Sequence, residues 1–170
     1  MISRFLSRLK VNGVAISILA IALIVRLITT YDWFESPYMQ IPLIDALDHH
    51  QQALKISEGQ LLSPGAFYGS PFYPYLLAGT YLFTNGSPHL MILIQILLGV
   101  GTCIILARST ESYFGKQAGL CAGLIAALYA PFIFFTPTLM KETVAIFCIA
   151  LFVSFVAKAH LFNKLKYFLH

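Results

Sequence analysis

The chain has little charge: 11% of its 170 residues are charged, whereas 58% are hydrophobic. A soluble domain carries about 25% charged residues, so this chain lacks the polar surface that would keep it in water. It also lacks a disulfide framework, because its 3 cysteines are an odd number and all fall inside apolar stretches. These absences exclude an ordinary soluble domain and a disulfide-stapled one, and they predict an integral membrane protein.

The apolar residues occur in blocks that approach the length of a membrane-spanning helix, about 20 residues. The blocks cover residues 14–30, 89–107, 118–135 and 143–157. A fifth apolar block, 72–83, is too short to cross and predicts a half-buried or re-entrant helix. We therefore expect an all-α integral membrane fold with about four spans, forming a single membrane domain over residues 1–170. Between the first two spans, an outer loop of about residues 31–87 is expected to contain short interfacial helices.

Basic residues flank these spans in three groups. The groups are Arg4, Arg8 and Lys10; Arg108 and Lys116; and Lys158, Lys164 and Lys166. Because basic residues next to spans mark cytoplasmic ends, both termini are predicted to be cytoplasmic, and residues 136–142 lie outside with the long loop. The net charge of +4 is thus explained by topology, and no nucleic-acid partner is expected.

The long outer loop is acidic. It holds Asp32, Glu35, Asp45, Asp48 and Glu58 against a single Lys55. Residues 43–58 predict a helix outside the bilayer that stops at Gly59, and Asp45 and Asp48 then share one helix face because they are three residues apart. With the neighbouring His49 they are able to bind a divalent cation or to accept a proton. The alternative is a solvated acidic face without chemistry.

Three basic residues are candidates for binding an anion: Arg26, Lys55 and Lys141. Arg26 lies near the outer end of the first span, where a basic residue costs about 2.5–3.5 kcal/mol and is a functional candidate by default. The alternative is that Arg26 extends to the outer headgroups. Lys141 is followed by Glu142 in the turn before the last span, on the same predicted side as Asp45. The pair belongs either to a site shared with Asp45 or to an ordinary surface turn.

The order of these features resembles the GT-C membrane glycosyltransferases, which include protein O-mannosyltransferases and lipid A aminoarabinose transferases. The resemblance is closest to bacterial mannosyltransferase-like proteins and implies the inner membrane. The stretches that carry it are DALDHHQQALKISEG (Asp45–Gly59), SPFYPYLLAGTYLF (Ser70–Phe83), ILIQILLGVGTCIIL (Ile92–Leu106) and AGLIAALYAPFIFFTPTLMKE (Ala122–Glu142).

By this resemblance, Asp45 stands at the place of the catalytic aspartate and Glu142 at that of the second acidic motif. His50 stands where relatives often have an aromatic residue or a histidine, and with Asp48 it is a possible supporting residue. Asp48 departs from the family pattern, in which an aromatic residue is more usual. Residues 136–138 also depart from it, because relatives carry a further acid there.

The resemblance implies inverting transfer of a sugar from a polyprenyl-phosphate donor to an acceptor hydroxyl at the outer membrane face. Asp45 would act as the base, and Arg26, Lys55 and Lys141 would neutralise the donor phosphate. A divalent cation is a possible cofactor. Family members usually continue for several more spans, so the chain looks like the N-terminal part of such an enzyme. The alternative is a non-catalytic membrane remnant, or an assembly subunit whose partner is the remaining half of a split transferase.

Overall fold

The computed structural model describes residues 13–37, 44–61 and 70–168, and the regular structure of this part of the chain is helical. The helices are α1 (Gly13–Phe34), α2 (Asp45–Ser57), α3 (Phe72–Thr84), α4 (His89–Phe114), α5 (Lys116–Leu128), α6 (Ala130–Phe134) and α7 (Glu142–Phe168). The predicted all-α class is therefore confirmed.

Within the described ranges, three segments are long and apolar enough to cross a membrane. They are Ala15–Glu35, His89–Phe114 and Glu142–Ala159. Their outward faces stay apolar, with Ile28 57% exposed on α1 and Phe152 68% exposed on α7. Such surfaces are stable against lipid and unfavourable in water, as expected of an integral membrane protein.

The predicted span 118–135 consists of two helices, α5 with 13 residues and α6 with 5. Tyr129 separates them in an extended conformation, with φ −70° and ψ 112°. The cause is Pro131, which has no N–H for a continuous helix and whose ring would clash with the carbonyl of Ala127. At 1.5 Å per residue, α5 is about 20 Å long, shorter than the roughly 30 Å of a hydrocarbon core. The number of crossings stays a prediction.

Two glycines four residues apart let α5 approach its neighbours closely. A Cβ atom on Gly119 would lie 2.6 Å from Glu111 Cβ and 2.8 Å from the carbonyl oxygen of Ala107, both on α4. A Cβ on Gly123 would lie 2.5 Å from Ile18 Cδ1 on α1. This is the small-xxx-small packing that membrane helices use, and it makes α1, α4 and α5 one tightly packed unit.

The end of the molecule that carries α2 is organised around an apolar cluster. Its buried members include Ala53 of α2, Tyr73 and Leu77 of α3, Met91 and Ile92 of α4, and Leu139 and Val144 around the start of α7. The loop helix α2 ends where predicted, since Gly59 follows it with φ +98°. The cluster therefore holds α2, which carries Asp45, against the part of the bundle that includes the first turn of α7.

Candidate functional site

The acidic residues of α2 lie in its first turn, where a carboxylate also stabilises the positive end of the helix dipole. The Asp48 carboxylate accepts a hydrogen bond of 2.7 Å from Gln52 Nε2, one turn further along the same helix. Asp45 is half-buried. The two carboxylates are thus close in sequence but differ in environment, because Asp48 is already engaged within its own helix.

His49 lies at the centre of the candidate site. Its side chain is only 4% exposed, and its ring packs against Tyr73 with the centroids 5.1 Å apart. Burial lowers the pKa of His49 and the charge of Lys141 adds to this, while the carboxylates of Asp48, Asp45 and Glu142 oppose it. Charges from α2 and from the start of α7 therefore act on the same imidazole, so both predicted acidic motifs lie near enough to His49 to influence its pKa.

Two buried atoms of this site have no hydrogen-bond partner among the described residues. They are Nδ1 of His49 and Oε2 of Glu142. An unpaired polar atom in a buried position is unfavourable unless a water or ligand completes it. The site therefore has a donor or acceptor on α2 and a carboxylate oxygen on α7 available for a ligand with hydroxyl groups.

His50 and Lys55 point away from this site. His50 Nδ1 lies 2.6 Å from the Tyr81 hydroxyl, so the side chain ties α2 to α3, and burial lowers its pKa. Lys55 is exposed in the last turn of α2. Ten residues separate it from Asp45, which is about 15 Å along the helix axis. Of the predicted residues on α2, Asp45 and Asp48 thus remain the candidates for a site shared with Glu142.

Arg26 is fully buried in the helix bundle and does not extend to a surface. Its Nη1 donates to the Ala22 carbonyl at 3.1 Å and its Nη2 to Cys103 Sγ at 3.6 Å, while Nε has no partner among the described residues. A cavity of about 10 Å³ beside it is also lined by Thr143, the residue after Glu142. This volume is enough for one water molecule and too small for a phosphate in this arrangement.

A buried amide that the sequence-based interpretation missed completes the site. Gln95 on α4 is 0% exposed and accepts a 2.8 Å hydrogen bond from the Tyr73 hydroxyl. Its Nε2 donates to the backbone carbonyls of Thr136 and Thr138, at 2.7 and 2.8 Å. The signal was available, because Gln95 is the one amide side chain in the 26 residues of α4, and polar residues within membrane helices mark function.

A metal site is not preformed in the described ranges. There, no group of three or more His, Cys, Asp or Glu side chains is placed to hold an ion. Asp45 and Glu142 are the carboxylates with no side-chain hydrogen bond in the described ranges that act on His49, and they would be the candidate ligands. Two carboxylates suit a Mg²⁺ ion that is otherwise coordinated by water and substrate phosphate, so a divalent cation stays a prediction that depends on bound donor.

An all-helical fold with membrane-spanning helices is the kind of fold that a GT-C membrane glycosyltransferase has. The sequence model of the dolichyl-phosphate-mannose-protein mannosyltransferase family matches residues 68–170. This is more than half of the chain, and the chain belongs to that family. The match includes Tyr73, Gln95 and Glu142, whereas Asp45 precedes it. No curated protein and no solved structure matches the chain.

The lowered pKa of His49 predicts that stability decreases in acid. Above the ordinary pKa of 6.5, the imidazole is neutral in both the folded and the unfolded chain. As the pH falls below 6.5, the unfolded chain binds a proton first, so the free energy of unfolding decreases until the pH reaches the lower folded pKa. Thermal unfolding at pH 7.5 and 5.5 measures this, with His49→Phe as the control that keeps a ring. An equal loss in both proteins would contradict the role of His49.

Replacing Arg26 with methionine is expected to stabilise the fold by about 1–4 kcal/mol, because apolar side chains often replace buried charges favourably. Methionine has similar length, and it removes the unpaired Nε from an apolar surrounding. Unfolding in detergent by a denaturant series measures the change. Loss of stability in Arg26→Met would instead mean that the guanidinium has a favourable partner beyond Ala22 and Cys103.

Proposed function

We propose that this chain takes part in inverting transfer of a sugar from a polyprenyl-phosphate donor to an acceptor hydroxyl at the outer face of a bacterial inner membrane. The observation that supports the proposal is the apolar cluster that packs α2, the helix that carries Asp45, together with Leu139 and Val144, which flank Glu142; the charges of Asp45 and Glu142 also act on buried His49. Family membership supports the same class of reaction. Both termini are then cytoplasmic, as the basic residues beside the spans predict.

Asp45 is the proposed base. The acceptor oxygen attacks the anomeric carbon from the side opposite the phosphate, and its proton passes to the Asp45 carboxylate. The bond between the anomeric carbon and the phosphate oxygen breaks, and its electron pair leaves with the phosphate. A base acts only within hydrogen-bond reach of the proton it accepts, and the half-buried position of Asp45 at the start of α2 suits this contact.

The leaving phosphate needs positive charge more than it needs a proton. Lys141 is exposed immediately before α7 and is the best placed of the predicted cations. The N-terminus of α7 adds the positive end of a helix dipole. Arg26 is buried inside the bundle, so any effect of its charge on the phosphate would act over distance and not by contact. Lys55 lies at the far end of α2, so it is proposed to contact only a part of the donor away from the reacting phosphate.

Glu142 is proposed to orient the sugar or the acceptor. Its unpaired Oε2 and the unpaired Nδ1 of His49 offer complementary partners for a hydroxyl, which both donates and accepts hydrogen bonds. Asp48 supports the start of α2 through its bond to Gln52. His50 supports the packing of α2 on α3. A divalent cation, where one is used, would be held by carboxylates such as Glu142 and would supply positive charge for the leaving phosphate.

The test is transfer of radiolabelled mannose from polyprenyl-phosphate mannose in proteoliposomes that contain the full chain. The expected result is label in a hydroxyl-bearing acceptor with inverted anomeric configuration. If the chain alone is inactive but transfers sugar when further spans of a family member are co-expressed, it is part of a split transferase. Absence of transfer with every polyprenyl-phosphate sugar, with and without such a partner, would contradict the proposal and favour a non-catalytic membrane protein.

A further inference from the structure

Tyr73 and Gln95 form a buried pair that connects the two sides of the site. Tyr73 contacts the ring of His49 on α2 and donates its hydroxyl proton to Gln95. Gln95 then donates both of its amide protons to carbonyls of the turn at residues 136–138. Contacts thus run without a break from the helix that carries Asp45, through α3 and α4, to the turn that precedes α7.

The chemistry of these groups leaves one arrangement of the amide. Carbonyl oxygens only accept hydrogen bonds, so the NH₂ group of Gln95 must face Thr136 and Thr138, and its oxygen must face Tyr73. Both side chains of the pair are 0% exposed. Replacement of the amide by an apolar group would remove the partner of the Tyr73 hydroxyl and the side-chain donor of the Thr136 carbonyl. The Thr138 carbonyl would keep only its bond from the Met140 N–H. The turn would have to move to give the remaining polar groups new partners.

We infer that Gln95, oriented by Tyr73, is a positioning residue that sets the place of Lys141 and Glu142 relative to Asp45. The turn that Gln95 holds ends at Thr138, four residues before Glu142. If Gln95 served only as a hydrogen-bond partner for the two carbonyls, it would need no link to α3. Tyr73, however, connects the amide to α3, the helix on which α2 packs. The inference rests on the proposed sugar transfer, and it predicts an effect on kcat that packing alone would not produce.

The first test compares variants of Gln95 in the proteoliposome transfer assay. Gln95→Leu is expected to lower kcat by about 100-fold, because a misplacement of about 1 Å has this effect, with little change in the donor KM. Gln95→Glu still accepts from Tyr73, but only its protonated form donates to a carbonyl. Its kcat relative to wild type is therefore expected to rise as the pH falls from 8 to 6. Tyr73→Phe keeps both carbonyl bonds and is expected to lose less activity than Gln95→Leu.

The second test does not need activity. Spin labels are placed at Leu47→Cys on α2 and Lys141→Cys before α7, after serine replaces the exposed Cys121 and Cys148; Cys103 is buried and stays unlabelled. Gln95→Leu is expected to broaden the distribution of distances between the labels. Val100→Ala, a truncation of another buried side chain on α4, is the matched control and is expected to keep it narrow.

A narrow distribution and an unchanged kcat in Gln95→Leu would overturn the positioning role. So would equal broadening in Val100→Ala, since the effect would then be general loss of packing. If Gln95→Leu does not fold, the pH dependence of kcat in Gln95→Glu decides. A ratio of its kcat to that of the wild type that does not change with pH counts against the positioning role. If the wild-type chain transfers no sugar while Gln95→Leu still broadens the distances, the proposed function fails and the placement of Lys141 by Gln95 stands.

Discussion

Replacing Asp45 with asparagine is expected to lower the rate of sugar transfer by about 10²–10⁴-fold, the usual contribution of a general base. The amide has nearly the same shape as the carboxylate but does not accept the acceptor's proton. The donor KM is expected to change little, because Asp45 acts on the acceptor hydroxyl and not on the donor phosphate. Initial rates in proteoliposomes with radiolabelled polyprenyl-phosphate mannose measure both quantities.

Asp48→Asn is the matched control. It makes the same chemical change three residues away on α2, and the asparagine oxygen still accepts from Gln52. We expect this variant to keep transfer within about threefold of wild type, since the substitution removes only the charge from a hydrogen bond inside α2, which affects stability and not a catalytic step. Equal losses in both variants would mean that negative charge on α2 matters and that Asp45 is not the base.

The fold class could be predicted because it depends on composition and on the lengths of apolar blocks. α1, α4 and α7 are apolar over enough residues to cross a bilayer. The short helix predicted at 72–83 is observed at Phe72–Thr84, because it begins at the Pro71 cap and stops at Asn85 in the left-handed conformation. These are local signals, and a single sequence contains them.

The break at Tyr129 has a local cause in Pro131, but hydropathy averages over a single proline, so one long block was predicted where two helices form. The position of Arg26 depends instead on a contact that is distant in sequence. Arg26 does not extend to the headgroups, because it is buried and Gly99 leaves room for it: a Cβ at Gly99 would lie 2.6 Å from Arg26 Nε. That pairing of an arginine on α1 with a glycine on α4 has no sequence signature.

The roles of Asp45 and Glu142 stay predictions from the family resemblance, whereas the contacts of the buried groups near them could not be predicted from the sequence. His49 was predicted to join Asp45 and Asp48 in binding a cation or a proton, but helical geometry on the folded bundle turns it inward against Tyr73. A candidate base is visible in sequence because its residue type is unusual in its context, while a positioning group is defined by its partners.

Replacing Gly119 with alanine is expected to destabilise the fold by about 1–3 kcal/mol, as overpacking of a close contact does. The new Cβ would meet backbone as well as side chain, since the carbonyl oxygen of Ala107 lies 2.8 Å away and Glu111 Cα 3.0 Å away. Backbone atoms of α4 do not move without separating α4 from α5. The same substitution at Gly79 on α3 is the control, because nothing lies within 4 Å of its Cβ position.

Both substitutions remove a glycine from a helix, which on its own favours the helix by up to about 1 kcal/mol. Gly79→Ala is therefore expected to unfold at the same temperature as wild type or slightly above it, and Gly119→Ala clearly below it. Thermal unfolding in one detergent, followed by circular dichroism, measures the difference between the two variants and so isolates the clash. If Gly119→Ala matched Gly79→Ala, α4 and α5 would not approach each other as closely as the Gly119–Glu111 contact requires.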